Sequence, residues 1–183
     1  MLTVSRLVLV PVFLVTLFAA DGHQTGWRLV ATAVFAVASL TDHLDGNLAR
    51  SRGLVTDFGK IADPIADKAL TGAALIGLSL LGELPWWVTV IIAVREVGVT
   101  LLRFWVIRYG VIPASRGGKA KTLLQVIAIG LYLLPLPGGW FDVVRWVFLG
   151  AAVVLTVVTG VDYVVRAVRL RARGRRAVAG VRE

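Results

Sequence analysis

Residues 41–68 read TDHLDGNLARSRGLVTDFGKIADPIADK. Asp42 and Asp45 stand at i,i+3, and Asp63 and Asp67 at i,i+4, spacings that put each pair on one face of a helix. Ala49 continues the first face and Gly59 extends the second, and small residues let two helices approach closely. Arg52-Gly53 between them is turn chemistry. The two helices are therefore expected to be antiparallel neighbours on which four carboxylates converge. Pro64 removes a backbone donor beside Asp63 and predicts a kink, which would open a polar cavity.

The flanks of this stretch are oily. Of 183 residues, 57% are hydrophobic and 17% charged, and the mean hydropathy is +0.81. That excludes a disordered chain and argues against an ordinary soluble domain. The apolar runs approach the ~20 residues needed to cross a bilayer. Six helical spans fit, at about 2–20, 27–50, 57–84, 85–108, 118–136 and 140–165. The breaks carry Asp21-Gly22, Arg52-Gly53, Glu83-Leu84-Pro85, Pro113 with Gly117-Gly118, and Pro135-Leu136-Pro137. Trp86, Trp87 and Trp140 lie beside breaks, where an aromatic belt would sit. The first run lacks a charged start, and Asp21-Gly22-His23 is a poor cleavage site, so it reads as a membrane helix rather than a signal peptide. The expected fold is one all-α integral membrane domain over 1–183, with six transmembrane helices, a cytoplasm-facing polar cavity and a basic tail over 166–183.

The net charge of +9 (20 Lys and Arg against 11 Asp and Glu) orients that domain. Arg50, Arg52 and Lys60 flank the second connection. Arg108, Arg116, Lys119 and Lys121 flank the fourth, and Arg166, Arg169, Arg171, Arg173, Arg175, Arg176 and Arg182 follow the last span. The opposite side holds Arg28 and Arg145. This bias places both termini and the basic loops in the cytoplasm, with the domain in the plasma membrane. The tail follows a span directly and lacks interleaved aromatics. It suits anionic membrane lipid rather than nucleic acid.

Ionisable residues inside spans are costly and point to function. Besides the aspartates these are Lys68, Arg95, Glu96 and Arg103. At ~1.5 Å per residue, Asp67 lies about 15 Å in from Asp57, Asp42 about 12 Å from Arg50, and Glu96 about 18 Å from Arg108. All fall in a similar layer. Four clustered carboxylates repel unless cations hold them. With no Cys and two His in the chain, the site is a hard-oxygen one suited to Mg²⁺ or Mn²⁺. Two such ions can activate an attacking oxygen and stabilise a leaving phosphate oxygen. Nearby Arg and Lys would bind substrate phosphate. Arg95–Glu96 also reads as an ion pair organising the fourth span, and Lys68 as a snorkelling or locally paired cation.

Together, Asp42-x-x-Asp45-Gly46-x-x-Ala49-Arg50, eight residues, then Gly59-x-x-x-Asp63-x-x-x-Asp67 resembles the signature of the CDP-alcohol phosphotransferase family, with every fixed position filled. The resemblance implies transfer of a phosphatidyl-type group from a CDP-linked donor to an alcohol, with release of CMP, at the cytoplasmic face. It implies that Asp42, Asp45, Asp63 and Asp67 hold two divalent cations and that Asp67 is also the general base. Asp45, Gly46, Ala49, Arg50 and Gly59 would shape the nucleotide pocket, with Arg50 at the diphosphate. It further implies a homodimer. Members usually carry a surface helix and an Asn-x-x-Thr lead before the first span. Here Leu2-Thr3, Arg6 and Pro11 match, so a start upstream of Met1 is expected.

Span four with Arg95 and Arg103, and the segment Pro113-Ala-Ser115-Arg116-Gly-Gly-Lys119-Ala-Lys121-Thr122-x-x-Gln125, resemble the branch of the family that uses sn-glycerol 3-phosphate. The donor would then be CDP-diacylglycerol and the product phosphatidylglycerophosphate. Charge supports this, because a dianionic acceptor needs several cations, which Arg95, Arg103, Arg116, Lys119 and Lys121 supply; Ser115 and Thr122 add hydroxyl donors. Arg116 and Lys119 also read as topology signals. Another acceptor (phosphatidylglycerol or an inositol phosphate) is the nearest alternative. A carboxylate-lined cation transporter would not explain Gly46, Ala49, Arg50 and Gly59, and a non-catalytic scaffold would not need four aligned carboxylates.

Overall fold

The structure, a computed structural model, describes the backbone of residues 2–51, 57–107, 116–136 and 138–179. It describes the side chains of 8–41, 68–107, 117–136 and 138–172. Among the described residues there are no strands, and the α-helices are α1 (Leu2–Phe18), α2 (Thr25–Ser51), α3 (Asp57–Leu80), α4 (Trp86–Val106), α5 (Arg116–Leu133) and α6 (Trp140–Ala179). These coincide closely with the six expected apolar runs. α3 carries its helix through Pro64 without a break, and α6 runs 40 residues, well into the basic tail.

The chain turns tightly at one end of the bundle. Between α1 and α2, Ala20, Asp21 and Gly22 all take positive φ. Gly22 is required there, since a Cβ would lie 2.5 Å from Leu81 Cδ2. This packs the first turn against the α3–α4 turn. The latter closes as a Schellman motif: Gly82 has φ +73°, its N–H donates to the Ser79 carbonyl, and the Glu83 N–H donates to the Leu78 carbonyl. Pro85 then caps α4 in extended geometry.

α1 packs against both α2 and α3, α5 against α2 and α6, and α4 against α3 and α6. Cross-helix contacts give the directions. Ser79 meets Thr89 and Lys68 meets Thr100, so α3 and α4 are antiparallel. Arg95 meets Thr159 and Arg103 meets Tyr163, so α4 and α6 are parallel. One apolar core draws on all six helices, including Phe13, Phe35, Leu78, Ile92, Leu133 and Leu149. Phe13 and Phe35 bring their rings to 5.8 Å.

Among the described residues, one segment, Trp140–Ala172, is by itself long and apolar enough to cross a bilayer, with mean hydropathy 2.0. Shorter apolar stretches among them are Val8–Gly22, Thr25–Thr41 and Lys68–Leu80. α4 carries Arg95, Glu96 and Arg103 within its length.

At the tight-turn end, Arg28 is 3% exposed. It donates to the Tyr132 carbonyl at 2.7 Å and lies 3.5 Å from Glu83. It thereby ties α2 to the α3–α4 turn and to the end of α5. The charge bias alone gave Arg28 no such role. Arg145 pairs with Asp142 and stacks over the Tyr132 and Phe141 rings. Removing Glu83's charge leaves a buried guanidinium uncompensated. Glu83→Gln should cost about 2 kcal/mol, less than the roughly 3–5 kcal/mol of a fully buried pair, because Glu83 is 27% exposed. Thermal unfolding in detergent checks this; an unchanged Tm would remove Arg28–Glu83 from the stabilising contacts.

Candidate functional site

The aspartates occupy corresponding halves of two helices. Asp42 and Asp45 lie in the C-terminal part of α2 with Gly46, Ala49 and Arg50, and Gly59, Asp63 and Asp67 lie in the N-terminal part of α3. Both sets therefore sit in the half of the bundle away from the tight turns. Their side chains lie outside the described residues. The helical register of both pairs is that expected from the spacing, with the members one turn apart on each helix. Four carboxylates on two neighbouring helices, with no cysteine in the chain, are of the donor type that suits a hard divalent cation.

Directly after Asp67, the described side chains begin with Lys68, and a polar cluster forms around Glu96 of α4. Its carboxylate pairs with Lys121 of α5, with Arg95 at 3.0 Å and with Lys68 of α3 at 3.9 Å. Lys68 also donates to the Glu96 carbonyl and to Thr100 Oγ1. Arg95 extends the cluster to α6 by donating to Thr159 Oγ1 at 3.3 Å. Gly160 makes room for it, since a Cβ there would stand 3.2 Å from Arg95 Cγ. Lys121 is almost fully buried, at 4% exposed, where a charge needs compensation such as Glu96 gives.

This cluster forms the polar end of a cavity of about 230 Å³ between α3, α4 and α5. Lys68, Glu96, Lys121, Thr122 and Gln125 line one part, and Leu75, Ile76, Ile92, Ala93 and Val97 the other. Gln125 is 3% exposed, and its Nε2 has no hydrogen-bond partner among the described residues. Thr122 bonds back to the Gly118 carbonyl at 3.1 Å. An anionic or hydroxyl-bearing molecule entering here would meet buried cations and an open amide donor in apolar surroundings, where such contacts are strong.

The expected acceptor residues thus divide. Arg95 and Lys121 meet at Glu96. Arg103, two turns beyond Arg95, reaches Tyr163 of α6 at 3.5 Å. Lys119 is exposed. Ser115 lies outside the described residues, as does the side chain of Arg116, the first residue of α5. Sequence reasoning included Gln125 in the motif but gave it no role, and it missed Thr159 and Gly160 as parts of this region. Gln125 follows Lys121 by one helical turn, which was a usable signal. Thr159 and Gly160 carry none, because their role comes from the parallel contact with α4.

Comparison with known proteins covers most of the chain. The family model for CDP-alcohol phosphatidyltransferase matches residues 1–158. A probable phosphatidylglycerophosphate synthase of Mycobacterium tuberculosis (strain H37Rv) is 61% identical over 168 residues, covering 92% of this chain and 80% of the relative. A CDP-diacylglycerol–glycerol-3-phosphate 3-phosphatidyltransferase of Bacillus subtilis (strain 168) is 38% identical, covering 88% of this chain and 90% of its own. A CMP-forming cardiolipin synthase of Streptomyces coelicolor is 34% identical, covering 92% and 81%.

Proposed function

Since the chain belongs to the CDP-alcohol phosphatidyltransferase family, we propose that it transfers the phosphatidyl group of CDP-diacylglycerol to sn-glycerol 3-phosphate, giving phosphatidylglycerophosphate and CMP. The observation that carries this reading is the complete Asp42-to-Asp67 signature in a chain 61% identical to a probable phosphatidylglycerophosphate synthase. The cationic groups around the cavity support an anionic acceptor. The cardiolipin synthase relative keeps phosphatidylglycerol as the competing acceptor.

The reaction joins the acceptor hydroxyl oxygen to the phosphatidyl phosphorus and breaks the bond from that phosphorus to the CMP oxygen, which leaves with the electron pair. Asp67 takes the hydroxyl proton. Arg50 faces the diphosphate, while Gly46, Ala49 and Gly59 leave space for the nucleotide. Asp42, Asp45, Asp63 and Asp67 would hold two divalent cations, Mg²⁺ or Mn²⁺, which supply charge neutralisation for the diphosphate and ease CMP departure. Lys121, Arg95 and Arg103, with Arg116, Lys119, Ser115 and Thr122, bind the acceptor's phosphate.

The six helices cross the plasma membrane, with the aspartate half and both termini on the cytoplasmic side. The charge bias supports this orientation. So do the large apolar side chains turned outward, among them Val94, Leu101, Phe104, Val143 and Val161, a surface suited to lipid. Trp86, Trp87 and Trp140 are exposed near the tight-turn end, where they suit an interfacial belt.

Purified protein with labelled CDP-diacylglycerol and a panel of acceptors (glycerol phosphate, inositol, inositol phosphate, serine, phosphatidylglycerol) tests the reaction. CMP release with glycerol phosphate alone is expected, and release with another acceptor alone would overturn it. Asp67→Asn should lower turnover by about 10²-fold or more while keeping donor binding; undiminished turnover would remove Asp67 as base. EDTA should stop CMP release and Mg²⁺ or Mn²⁺ restore it, and full activity in chelator would refute the metal site. Lys121→Ala should raise the acceptor KM about tenfold, in line with loss of one charge-assisted hydrogen bond, and leave the donor KM near its original value. A rise in the donor KM instead would move Lys121 to the diphosphate.

A further inference from the structure

A glutamine stands in the apolar part of α5. Gln125 is 3% exposed, and its neighbours Leu124, Val126, Ala128 and Ile129 belong to the core or pack against it. A buried amide is costly unless its hydrogen-bonding groups are used. The Gln125 Nε2 has no hydrogen-bond partner among the described residues, so that donor adds nothing to the fold. It lines the cavity between α3, α4 and α5. One turn earlier on the same face of α5 is Lys121, which is also buried and lines the same cavity. Thr122, another lining residue, already donates its hydroxyl to the Gly118 carbonyl. The amide of Gln125 is therefore an open donor beside a cation, with Leu75, Ile92 and Ala93 across the cavity from α5.

We propose that Gln125 is a specificity residue of the acceptor site: with the acceptor's phosphate at Lys121, its Nε2 donates to the hydroxyl on the acceptor's middle carbon, C2. This rests on the reaction proposed above and deepens it. In sn-glycerol 3-phosphate that hydroxyl is on the carbon next to the one bearing the phosphate. Phosphate and C2 hydroxyl are thus neighbours in the ligand, as Lys121 and Gln125 are neighbours on α5. The primary C1 hydroxyl is left as the one that attacks phosphorus, and Gln125 exchanges no proton in that step. Fixing the phosphate, the C2 hydroxyl and C1 also fixes a hand. In the mirror-image sn-glycerol 1-phosphate, the same placement of phosphate and reacting hydroxyl turns the C2 hydroxyl away from the amide. An acceptor with no C2 hydroxyl leaves the buried donor unpaired, which is how a hydrogen-bonding site rejects an analogue.

Acceptors that differ only at C2 test this: sn-glycerol 3-phosphate, its mirror image, and 3-hydroxypropyl phosphate, which lacks the C2 hydroxyl. With CMP release as the readout, the wild type should favour the first by about tenfold or more in kcat/KM over either of the others. In Gln125→Leu, use of sn-glycerol 3-phosphate should fall about tenfold, while use of 3-hydroxypropyl phosphate and the donor KM stay within about threefold of wild type. Gln125→Met, closer in length and also without a donor, should repeat the pattern and carries the test if the leucine variant does not fold. A wild type indifferent to C2 overturns the proposal. So does an equal loss on all acceptors in a folded variant, which would assign Gln125 to the fold. A binding readout separates this from the reaction itself. sn-Glycerol 3-phosphate should raise the Tm of the wild type more than 3-hydroxypropyl phosphate does, and Gln125→Leu should level the two shifts. If the wild type does not use glycerol phosphate as acceptor, the proposed reaction fails while this Tm comparison still decides the role of Gln125. A larger shift with sn-glycerol 3-phosphate in the wild type alone keeps that role, and equal or absent shifts overturn it.

Discussion

A charge inside an apolar helical bundle must find an opposite charge or a dense set of hydrogen bonds, because its solvation is lost and the energy at stake is several kcal/mol. Much of the polar architecture follows from that constraint. Glu96 meets it by drawing cations from α3, α4 and α5, and Arg95 adds α6 through Thr159. Arg28 meets it at the other end with Glu83 and the Tyr132 carbonyl. Each group thus ties together helices that apolar packing alone would leave free to slide. Ser79–Thr89, a buried hydroxyl pair at 2.7 Å, does the same on a smaller scale between α3 and α4.

The two polar ends differ in setting. Around Arg28, Glu83, Arg145 and Asp142 the formal charges cancel among the described side chains, and the cluster serves the fold. The Glu96 cluster borders a cavity instead. The aspartates differ again, since in sequence they are two pairs of negative charges, the members of each pair one turn apart on one helix.

Helix positions were legible because turn chemistry is local. Gly22, Gly82 and Pro85 sit where the chain reverses, and the apolar runs between them have helical length. The aspartate spacing was legible for the same reason, since i,i+3 and i,i+4 relations are properties of one helix. Pairings between helices were not. Glu96 and Lys121 are 25 residues apart, and Arg28 and Tyr132 are 104 apart. No local rule connects them, so Arg28 read as a topology charge and Lys121 as a bare cation. The kink expected at Pro64 leaves α3 helical throughout. Gly160 looked like any glycine until α4 was laid parallel to α6 and the Arg95 side chain filled the space above it.

The crowded turn at Gly22 has a mechanical consequence. With Leu81 seated against it, and Arg28 spanning to Glu83 and Tyr132 nearby, the helices are riveted at one end like the legs of tweezers. Any spreading needed to pass a bulky two-tailed molecule then pivots about those rivets. The gap opens widest at the far tips, where α2 and α3 carry their aspartates, and a small tilt suffices because the legs are long.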